Sequence, residues 1–304
     1  MSLLLSRRAA LSHAALIGAA CLLPVTRLNA ASLPKDDALK AAEQKLNDLE
    51  RSHAGHLGVM VLDTATNKEF GRRVDQRFPM CSTFKFLAAA ALLKAVDDGK
   101  EQLDRKIAYG EKDLLPYAPE TKKHVAEGSM TLGDLCAAAV QWSDNTAANL
   151  MLAALGGPHG LTQFLRGIGD PVTRLDRNEP TLNTAIADDP RDTTSPKAML
   201  GDLKSLLLGD VLTPASRQQL TTWMTGSQTG DKRIRAGLPT GWREGNKTGT
   251  GDHATANTVS IIWPASGAPI LATVYYTGSA ASRDQQSDIH AEVGKLIAAT
   301  FGGS

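Results

Sequence analysis

The stretch Ser82-Thr83-Phe84-Lys85-Phe86-Leu87-Ala88-Ala89-Ala90-Ala91-Leu92-Leu93 begins the helical middle of this 304-residue chain. The residues that follow Lys85 have no polar face, which is typical of a helix that is buried on all sides. Lys85 lies one helical turn after Ser82, so both side chains are expected on the same face. A buried lysine whose ammonium form is disfavoured can take the proton of a serine. Ser82 and Lys85 are therefore candidates for a nucleophile and its base, with a helix cap followed by a solvated lysine as the alternative.

Helical periodicity continues from this stretch to about Leu220, whereas strand patterns occur only nearer the two ends of the chain. The predicted helices of the middle region are 84–96, 132–141, 147–155, 161–168, 197–208 and a helix after Thr213-Pro214. The predicted strands are 56–62, 69–74, 245–250, 258–263 and 269–276, with an amphipathic helix before the first and another after the last.

This order of elements predicts an α/β fold of the α+β type, in which an antiparallel sheet flanked by helices is formed from both chain ends and an all-α domain is inserted between them. We expect residues 31–76 and 223–304 to build the α/β domain and residues 77–222 to build the all-α domain. The active site is expected in the cleft between the two, because clefts at domain junctions are preferred places for small-molecule sites.

Residues 1–30 differ in kind from the rest of the chain. Arg7 and Arg8 precede an apolar run over residues 9–25, and small residues follow at Asn29-Ala30-Ala31. This pattern predicts a cleaved export signal, and hence a periplasmic or secreted mature protein without a membrane segment. Ser6-Arg7-Arg8 followed by Leu11 resembles a twin-arginine signal, with an ordinary secretory signal as the alternative.

The mature chain is nearly neutral, because removal of residues 1–30 takes three arginines and no acid from 33 basic and 32 acidic residues, which leaves 30 and 32. No Lys/Arg-rich run is interleaved with aromatic residues, which argues against nucleic acid and favours a small substrate. No heptad or exposed apolar stripe demands a partner, so we expect a monomer. Apart from His53 and His56, the seven histidines show no metal spacing, so neither a metal nor a cofactor is predicted.

Cys81 and Cys136 are the cysteines that remain after signal removal. Two partly buried free thiols are favoured over a disulfide, because Cys81 directly precedes Ser82 and pairing would distort the position of that serine.

Two later segments carry residues that suit acyl chemistry on a serine. Ser143-Asp144-Asn145 lies between two predicted helices, where Ser143 could pass a proton to a leaving nitrogen and Asn145 could donate to a substrate amide. Helix capping is the alternative for this segment. Lys247-Thr248-Gly249-Thr250-Gly251 lies on a predicted strand, where glycines are unusual unless something approaches the backbone closely. Its lysine and threonine hydroxyls could bind a carboxylate, with a Gly-rich turn as the alternative.

These three segments, in this order, form the motif set of penicillin-interacting serine enzymes. The chain closely resembles a class A serine β-lactamase over essentially the whole mature sequence. A fourth segment, Arg177-Asn178-Glu179-Pro180-Thr181-Leu182-Asn183, resembles the Ω-loop of that family, which we expect at residues 174–192. The resemblance implies that Glu179 and Asn183 hold a hydrolytic water, that Arg177 and Asp192 form a salt bridge that closes the loop, and that Glu179-Pro180 is a cis peptide.

The resemblance further implies hydrolysis of the β-lactam amide bond of penicillins and cephalosporins, and therefore resistance to these antibiotics. Ser82 would form the acyl-enzyme, Ser143 would protonate the ring nitrogen, and a water activated by Glu179 would release the product. Lys85 directly, or Glu179 through a water, would take the proton of Ser82 during acylation. The implied substrate-binding residues are Tyr117, Asn145, Asn183, Arg233, Lys247, Thr248, Gly249 and Thr250.

Two departures from the family bear on the substrate spectrum. Many members have an arginine near the position of Ala256, and Arg233 resembles the substitute that other members use to bind the substrate carboxylate. Gly251 and Ala89 stand where some members have cysteines that pair with the positions of Cys81 and Cys136, so neither bridge can form. The sequence leaves carbapenem hydrolysis open.

Two other functions remain open. A penicillin-binding transpeptidase or carboxypeptidase shares the first three segments and is acylated by the same drugs, but it lacks a deacylating glutamate such as Glu179. A receptor domain that senses β-lactams would become stably acylated. Turnover of the acyl-enzyme is therefore the property that separates them from a hydrolase.

Overall fold

The structure is a computed structural model that describes residues 35–302; the predicted export signal, residues 1–30, lies outside them. The strands of the described chain are β1 His56–Asp63, β2 Lys68–Arg72, β3 Phe78–Pro79, β4 Lys106–Ala108, β5 Ser129–Thr131, β6 Thr193–Thr194, β7 Arg243–Thr250, β8 Ala256–Trp263 and β9 Ile270–Thr277. The helices are α1 Lys35–His53, α2 Phe84–Asp97, α3 Leu132–Gln141, α4 Asn145–Ala154, α5 Gly157–Gly167, α6 Pro196–Leu207, α7 Pro214–Thr225, α8 Ile234–Gly237 and α9 Arg283–Phe301.

The main sheet is antiparallel and has five strands in the order β2-β1-β9-β8-β7. Strands from both ends of the described chain therefore lie side by side, as the sequence predicts. The register places His56 opposite Thr277 and Thr250 opposite Ala256. β7 has only one neighbouring strand, so the segment Lys247–Thr250 lies along an edge of the sheet.

Each face of the sheet is buried against helices because the side chains of its strands alternate between two apolar cores. Val59 and Val61 pack with residues of α1 and α9 on one face, whereas Met60 and Leu62 belong to the larger core beneath the helical region. The contacts place residues 35–302 in one compact unit. No helix within residues 35–302 is long and apolar enough to cross a membrane.

Helix α2 is the centre of the helical region. It contacts α3, α4, α5 and α7, so no side of the helix is free for polar residues. Every residue from Phe84 to Leu93 is buried. This packing accounts for the unbroken apolar run, and it places Lys85 in the interior.

The expectation that strands occur only near the chain ends is wrong in one respect. Within the helical region, β4 pairs with β5, and β3 pairs with β6 through Phe78–Thr194 and Pro79–Thr193. Strands of two or three residues are too short to show alternation in a sequence, and their pairing depends on residues distant in the chain. The β3–β6 pair matters for the site, because β6 directly follows the loop that carries Glu179.

Candidate active site

Ser82 lies on a 3-10 helical turn, Cys81–Thr83, immediately before α2. The preceding Cys81 has a left-handed backbone with φ of 46°, a conformation that costs a non-glycine residue about 1–3 kcal/mol and is often found at functional sites. The turn is held by Asn257, whose Nδ2 donates to the carbonyls of Pro79 at 2.8 Å and Met80 at 3.0 Å. Ser82 keeps a small exposed fraction of 8%, so the hydroxyl can be reached.

Lys85 is completely buried, and oxygen atoms surround its ammonium group. Nζ donates to the carbonyl of Ser143 at 2.8 Å and to Oδ1 of Asn145 at 2.6 Å, and it lies 3.0 Å from Oε1 of Glu179. Burial lowers the pKa of Lys85, while the negative charge of Glu179 opposes this effect. Lys85 therefore joins the Ser143–Asn145 turn to the carboxylate of Glu179.

The Ser143–Asn145 turn is fixed by the residue between the two predicted site residues. Asp144 is the N-cap of α4 and accepts from the backbone N–H of Ala147 at 2.9 Å, and it also accepts from the N–H of Thr121 at 2.9 Å. Ser143 itself has a left-handed φ of 62°. Capping therefore accounts for Asp144, whereas Ser143 and Asn145 on either side of it contact Lys85.

Lys247 approaches the same serine from the edge strand. Its Nζ donates to Oγ of Ser143 at 3.0 Å and to the carbonyl of Thr248 at 2.6 Å, and the side chain is fully buried. Burial lowers the pKa of Lys247 well below its usual value, and the positive charges of Lys85 and Arg233 lower it further. An anion that binds beside this amine would raise the pKa of Lys247 and stabilise its charged form, so the site is suited to a carboxylate.

Glu179 connects Ser82 to the loop of residues 174–192. Oγ of Ser82 donates to Oε1 at 3.1 Å, and Nδ2 of Asn183 donates to Oε2. The side chain of Glu179 is completely buried, and the Glu179-Pro180 peptide is cis. One carboxylate oxygen of Glu179 therefore contacts both Ser82 and Lys85, which come from a separate segment of the chain.

Asn149 was not predicted as part of the site. Its Oδ1 accepts from the backbone N–H of Glu179 at 2.9 Å, and its Nδ2 donates to the carbonyl of the same residue at 2.9 Å. One amide on α4 therefore holds both backbone polar groups of Glu179. A single asparagine in a helical pattern carries no signal of such a contact, so sequence reasoning could not have found it.

The loop is closed at its base by Arg177 and Asp192. Nε of Arg177 lies 2.5 Å from Oδ2 of Asp192, and Oδ1 of Asp192 accepts from the backbone N–H groups of Asp176 at 2.7 Å and Arg177 at 2.9 Å. Asp192 is 1% exposed, so these donors replace the water that its charge loses on burial.

Arg233 lies behind the edge strand β7. Its guanidinium donates to Oγ1 of Thr250 at 2.8 Å, to the carbonyl of Gly249 at 2.9 Å and to the carbonyl of Asn257. Burial lowers the pKa of Arg233 to about 10. These contacts place its charge beside Thr250, the residue that pairs with Ala256.

Thr229 is a second residue that the sequence did not reveal. Its Oγ1 lies 2.6 Å from Oγ1 of Thr248, so the two hydroxyls share a hydrogen bond. Such a bond fixes the direction of the remaining lone pairs or proton of Thr248.

Tyr117 lies at the rim of the site and is 50% exposed. Its hydroxyl donates to the carbonyl of Trp142 at 3.2 Å, and its own carbonyl accepts from the N–H of Asn145 at 3.0 Å.

Cys81 and Cys136 are buried free thiols whose pKa values are raised by burial. No group of three or more His, Cys, Asp or Glu side chains within residues 35–302 is arranged to hold a metal.

The chain is similar to known proteins over most of its length. A family model described as the β-lactamase enzyme family matches residues 41–301. The β-lactamase CTX-M-8 of Citrobacter amalonaticus is 49% identical over 255 residues, which cover 84% of this chain and 87% of that protein.

Solved structures give the same result. The structure of the last common ancestor of Gram-negative class A β-lactamases is 60% identical and has a TM-score of 0.84, with 86% of this chain and 99% of that chain covered. A putative class A β-lactamase, PenP of Rhodopseudomonas palustris, is 55% identical with a TM-score of 0.83, with 85% and 98% covered. The chain therefore belongs to the β-lactamase enzyme family, and within it to the class A serine β-lactamases.

Proposed function

We propose that this chain hydrolyses the amide bond of β-lactams through an acyl-enzyme on Ser82, which a water activated by Glu179 releases. The observation that carries the proposal is the position of the Glu179 carboxylate, whose Oε1 lies 3.1 Å from the nucleophile and whose Oε2 accepts from Asn183. A base beside the acylated serine supports hydrolysis rather than stable acylation.

Binding of the substrate carboxylate is assigned to the edge strand. Lys247 supplies a buried cation, Thr248 and Thr250 supply hydroxyls, and Arg233 supports Thr250 from behind. Because β7 is at the edge of the sheet, a peptide-like ligand can lie along Gly249 and Thr250 without competition from another strand. Tyr117 and Asn145 would contact the side chain of the substrate at the rim.

Acylation requires that the proton of Ser82 be accepted as its oxygen attacks the ring carbonyl. Oε1 of Glu179 lies within hydrogen-bonding distance of both Ser82 Oγ and Lys85 Nζ, so one carboxylate oxygen joins the nucleophile to the buried lysine. Ser143 would then give its proton to the leaving nitrogen, since its hydroxyl is 3.0 Å from Lys247 Nζ and 3.5 Å from Lys85 Nζ. Either lysine can restore that proton.

The remaining assignments rest on the sequence. We propose that the mature protein begins after residue 30, is periplasmic or secreted, and acts as a monomer on small β-lactams rather than on nucleic acid or at a membrane. We also propose that residues 31–76 and 223–304 form the α/β domain and that residues 77–222 form the all-α domain.

We expect the purified mature protein to hydrolyse a chromogenic cephalosporin without added metal, at a rate that a chelator does not change. Each proposed step uses a side chain of this protein, so removal of divalent ions should leave the steady-state rate unaltered. Absence of turnover together with a stable adduct would instead favour the transpeptidase or sensor function. Loss of the rate on chelation would show that the proposed mechanism lacks an essential component.

Replacement of Arg233 by alanine should raise KM for a penicillin about 10-fold with a smaller change in kcat, the loss expected for one charged hydrogen-bonding partner. The guanidinium acts on a carboxylate that is bound in both ground state and transition state, so its loss weakens binding uniformly. Arg233→Lys is the matched control, because it keeps the charge and should fall between the parent and alanine. Steady-state kinetics that show an unchanged KM for Arg233→Ala would remove Arg233 from the binding site.

A further inference from the structure

Two buried carboxyl groups outside the active site lie close to the base of the Glu179 loop. Asp170 follows α5 and is 6% exposed, and Asp202 lies on α6 and is 3% exposed. Both line a cavity of about 320 Å³. Buried acids without a compensating partner are costly, so their surroundings need an explanation.

Asp170 acts on the first residues of the loop. Its Oδ1 accepts from the backbone N–H groups of Val172 at 2.6 Å and Thr173 at 3.1 Å. Thr173 in turn shares a hydrogen bond of 2.7 Å with Thr194 of β6. The carboxylate of Asp170 therefore fixes the backbone at the point where the chain enters residues 174–192.

Asp202 has no such donors. Within residues 35–302 no hydrogen-bond donor reaches its buried Oδ2. The carboxyl groups of Asp202 and Asp170 line the same cavity and are in contact. Two ionised carboxylates are both acceptors only, so they cannot form a hydrogen bond with one another. The contact is possible when one of them carries a proton, and that proton also accounts for the lack of a donor to Asp202.

The other charged groups around the pair do not remove this requirement. Arg166 of α5 donates from its guanidinium to the backbone carbonyl of Asp170. Lys197 of α6 and Asp75, which also line the cavity, are mostly exposed and lie 3.8 Å apart. Tyr275 of β9 is also buried, and burial raises the pKa of its hydroxyl, so it brings no charge to the pair.

We propose that Asp202 and Asp170 share one proton, and that this pair positions the start of the loop of residues 174–192 against α6. Asp202 is the carboxylic acid and donates to the Asp170 carboxylate, which keeps its negative charge for the N–H groups of Val172 and Thr173. Loss of the shared proton places two negative charges in one buried site. The positioning role rests on the proposed function of Glu179, whereas the shared proton does not.

The arrangement predicts how stability changes with pH. Burial, and then the charge of Asp170, raises the pKa of Asp202 well above its usual value. The folded protein therefore holds a proton that the unfolded chain releases near pH 4, and this contribution to stability is lost as pH rises toward the folded-state pKa. Over that window the folding constant of the parent should fall about tenfold per pH unit relative to a variant without a titratable group at position 202.

Asp202→Asn is the test variant, because its amide keeps the shape and can still donate to Asp170. Urea unfolding of both proteins would be measured from about pH 5 upward. The folding constant of Asp202→Asn should rise relative to that of the parent by about tenfold per pH unit. Asp75→Asn, which removes an exposed acid at the mouth of the same cavity, should give a curve parallel to that of the parent. If Asp202→Asn does not fold, Asp202→Leu supplies the same comparison, since it also cannot titrate. If the stability of the position-202 variant depends on pH in the same way as that of the parent and of Asp75→Asn, the shared proton is overturned.

The positioning role has a separate measurement. The rate constant for deacylation in the parent, divided by that in Asp202→Asn, should fall as pH rises through the window in which their stabilities diverge. A ratio that stays constant while the stabilities diverge would overturn the positioning role and leave the pair as a stability element. Failure of the proposed function would instead appear as a parent protein that does not turn over at all.

Discussion

Replacing Ser82 with alanine is expected to lower kcat/KM for a β-lactam by about 10⁵- to 10⁶-fold, the loss seen when the nucleophile of a serine hydrolase is removed. The substitution deletes the only proposed covalent attachment point and the donor that Glu179 Oε1 accepts from at 3.1 Å. It leaves the buried cation Lys247 and the hydroxyls of the edge strand in place. Ser82→Ala should therefore still bind a β-lactam although it no longer hydrolyses it.

The decisive comparison for Ser82→Ala is between rate and affinity. Steady-state hydrolysis of a chromogenic cephalosporin measures the rate, and titration calorimetry with a penicillin measures binding. Ser52→Ala, an exposed serine at the end of α1, is the matched control and should behave like the parent. Hydrolysis by Ser82→Ala at a rate near that of the parent would assign the nucleophile to another residue.

Replacing Glu179 with glutamine should slow deacylation by about 10²- to 10⁴-fold, the usual contribution of a general base. The amide has nearly the size of the carboxylate and retains an oxygen that can face Ser82, but it cannot accept the proton of the attacking water. The rate constant for acylation should fall less than the rate constant for deacylation. The acyl-enzyme therefore accumulates, and the fast phase of the reaction ends after about one equivalent of β-lactam has acylated the protein.

The smaller effect on acylation follows from the surroundings of Lys85. Burial lowers its pKa, and the negative charge of Glu179 works in the opposite direction. When that charge is removed, the neutral amine is favoured further, and Lys85 becomes better able to accept the proton of Ser82. Rapid-quench measurements of both rate constants check this order, with Glu127→Gln, an exposed glutamate, as the control. Equal losses in the two steps would show that Lys85 gives no such support.

The main chemistry of the site is visible in the sequence because it depends on local patterns. The apolar run after Ser82 predicts a buried helix and hence a buried Lys85, and α2 is buried along this whole run. The glycines of Lys247–Gly251 indicate close approach to a strand, and β7 is the edge strand of the sheet. Recognition of Glu179 relied on the family resemblance, since an acid before a proline has no chemical signature of its own.

What the sequence could not predict are contacts between segments far apart in the chain. Asn149 holds Glu179 across 30 residues, and Thr229 meets Thr248 across 19 residues. Asp170 and Asp202 are ordinary acids until the fold buries them together. Such pairs depend on tertiary packing, whereas helical and strand periodicity report only which face of an element is buried.

The proposed mechanism passes through a transient acyl group on Ser82, so the decisive measurement is to locate the adduct. Glu179→Gln would be mixed with a penicillin, quenched and digested, and the peptides analysed by mass spectrometry. We expect a mass increase equal to that of the intact penicillin on the peptide that contains Ser82, and no such increase when Ser82→Ala is added to the same protein. An adduct on any other residue, or full turnover by Glu179→Gln with no adduct, would contradict it.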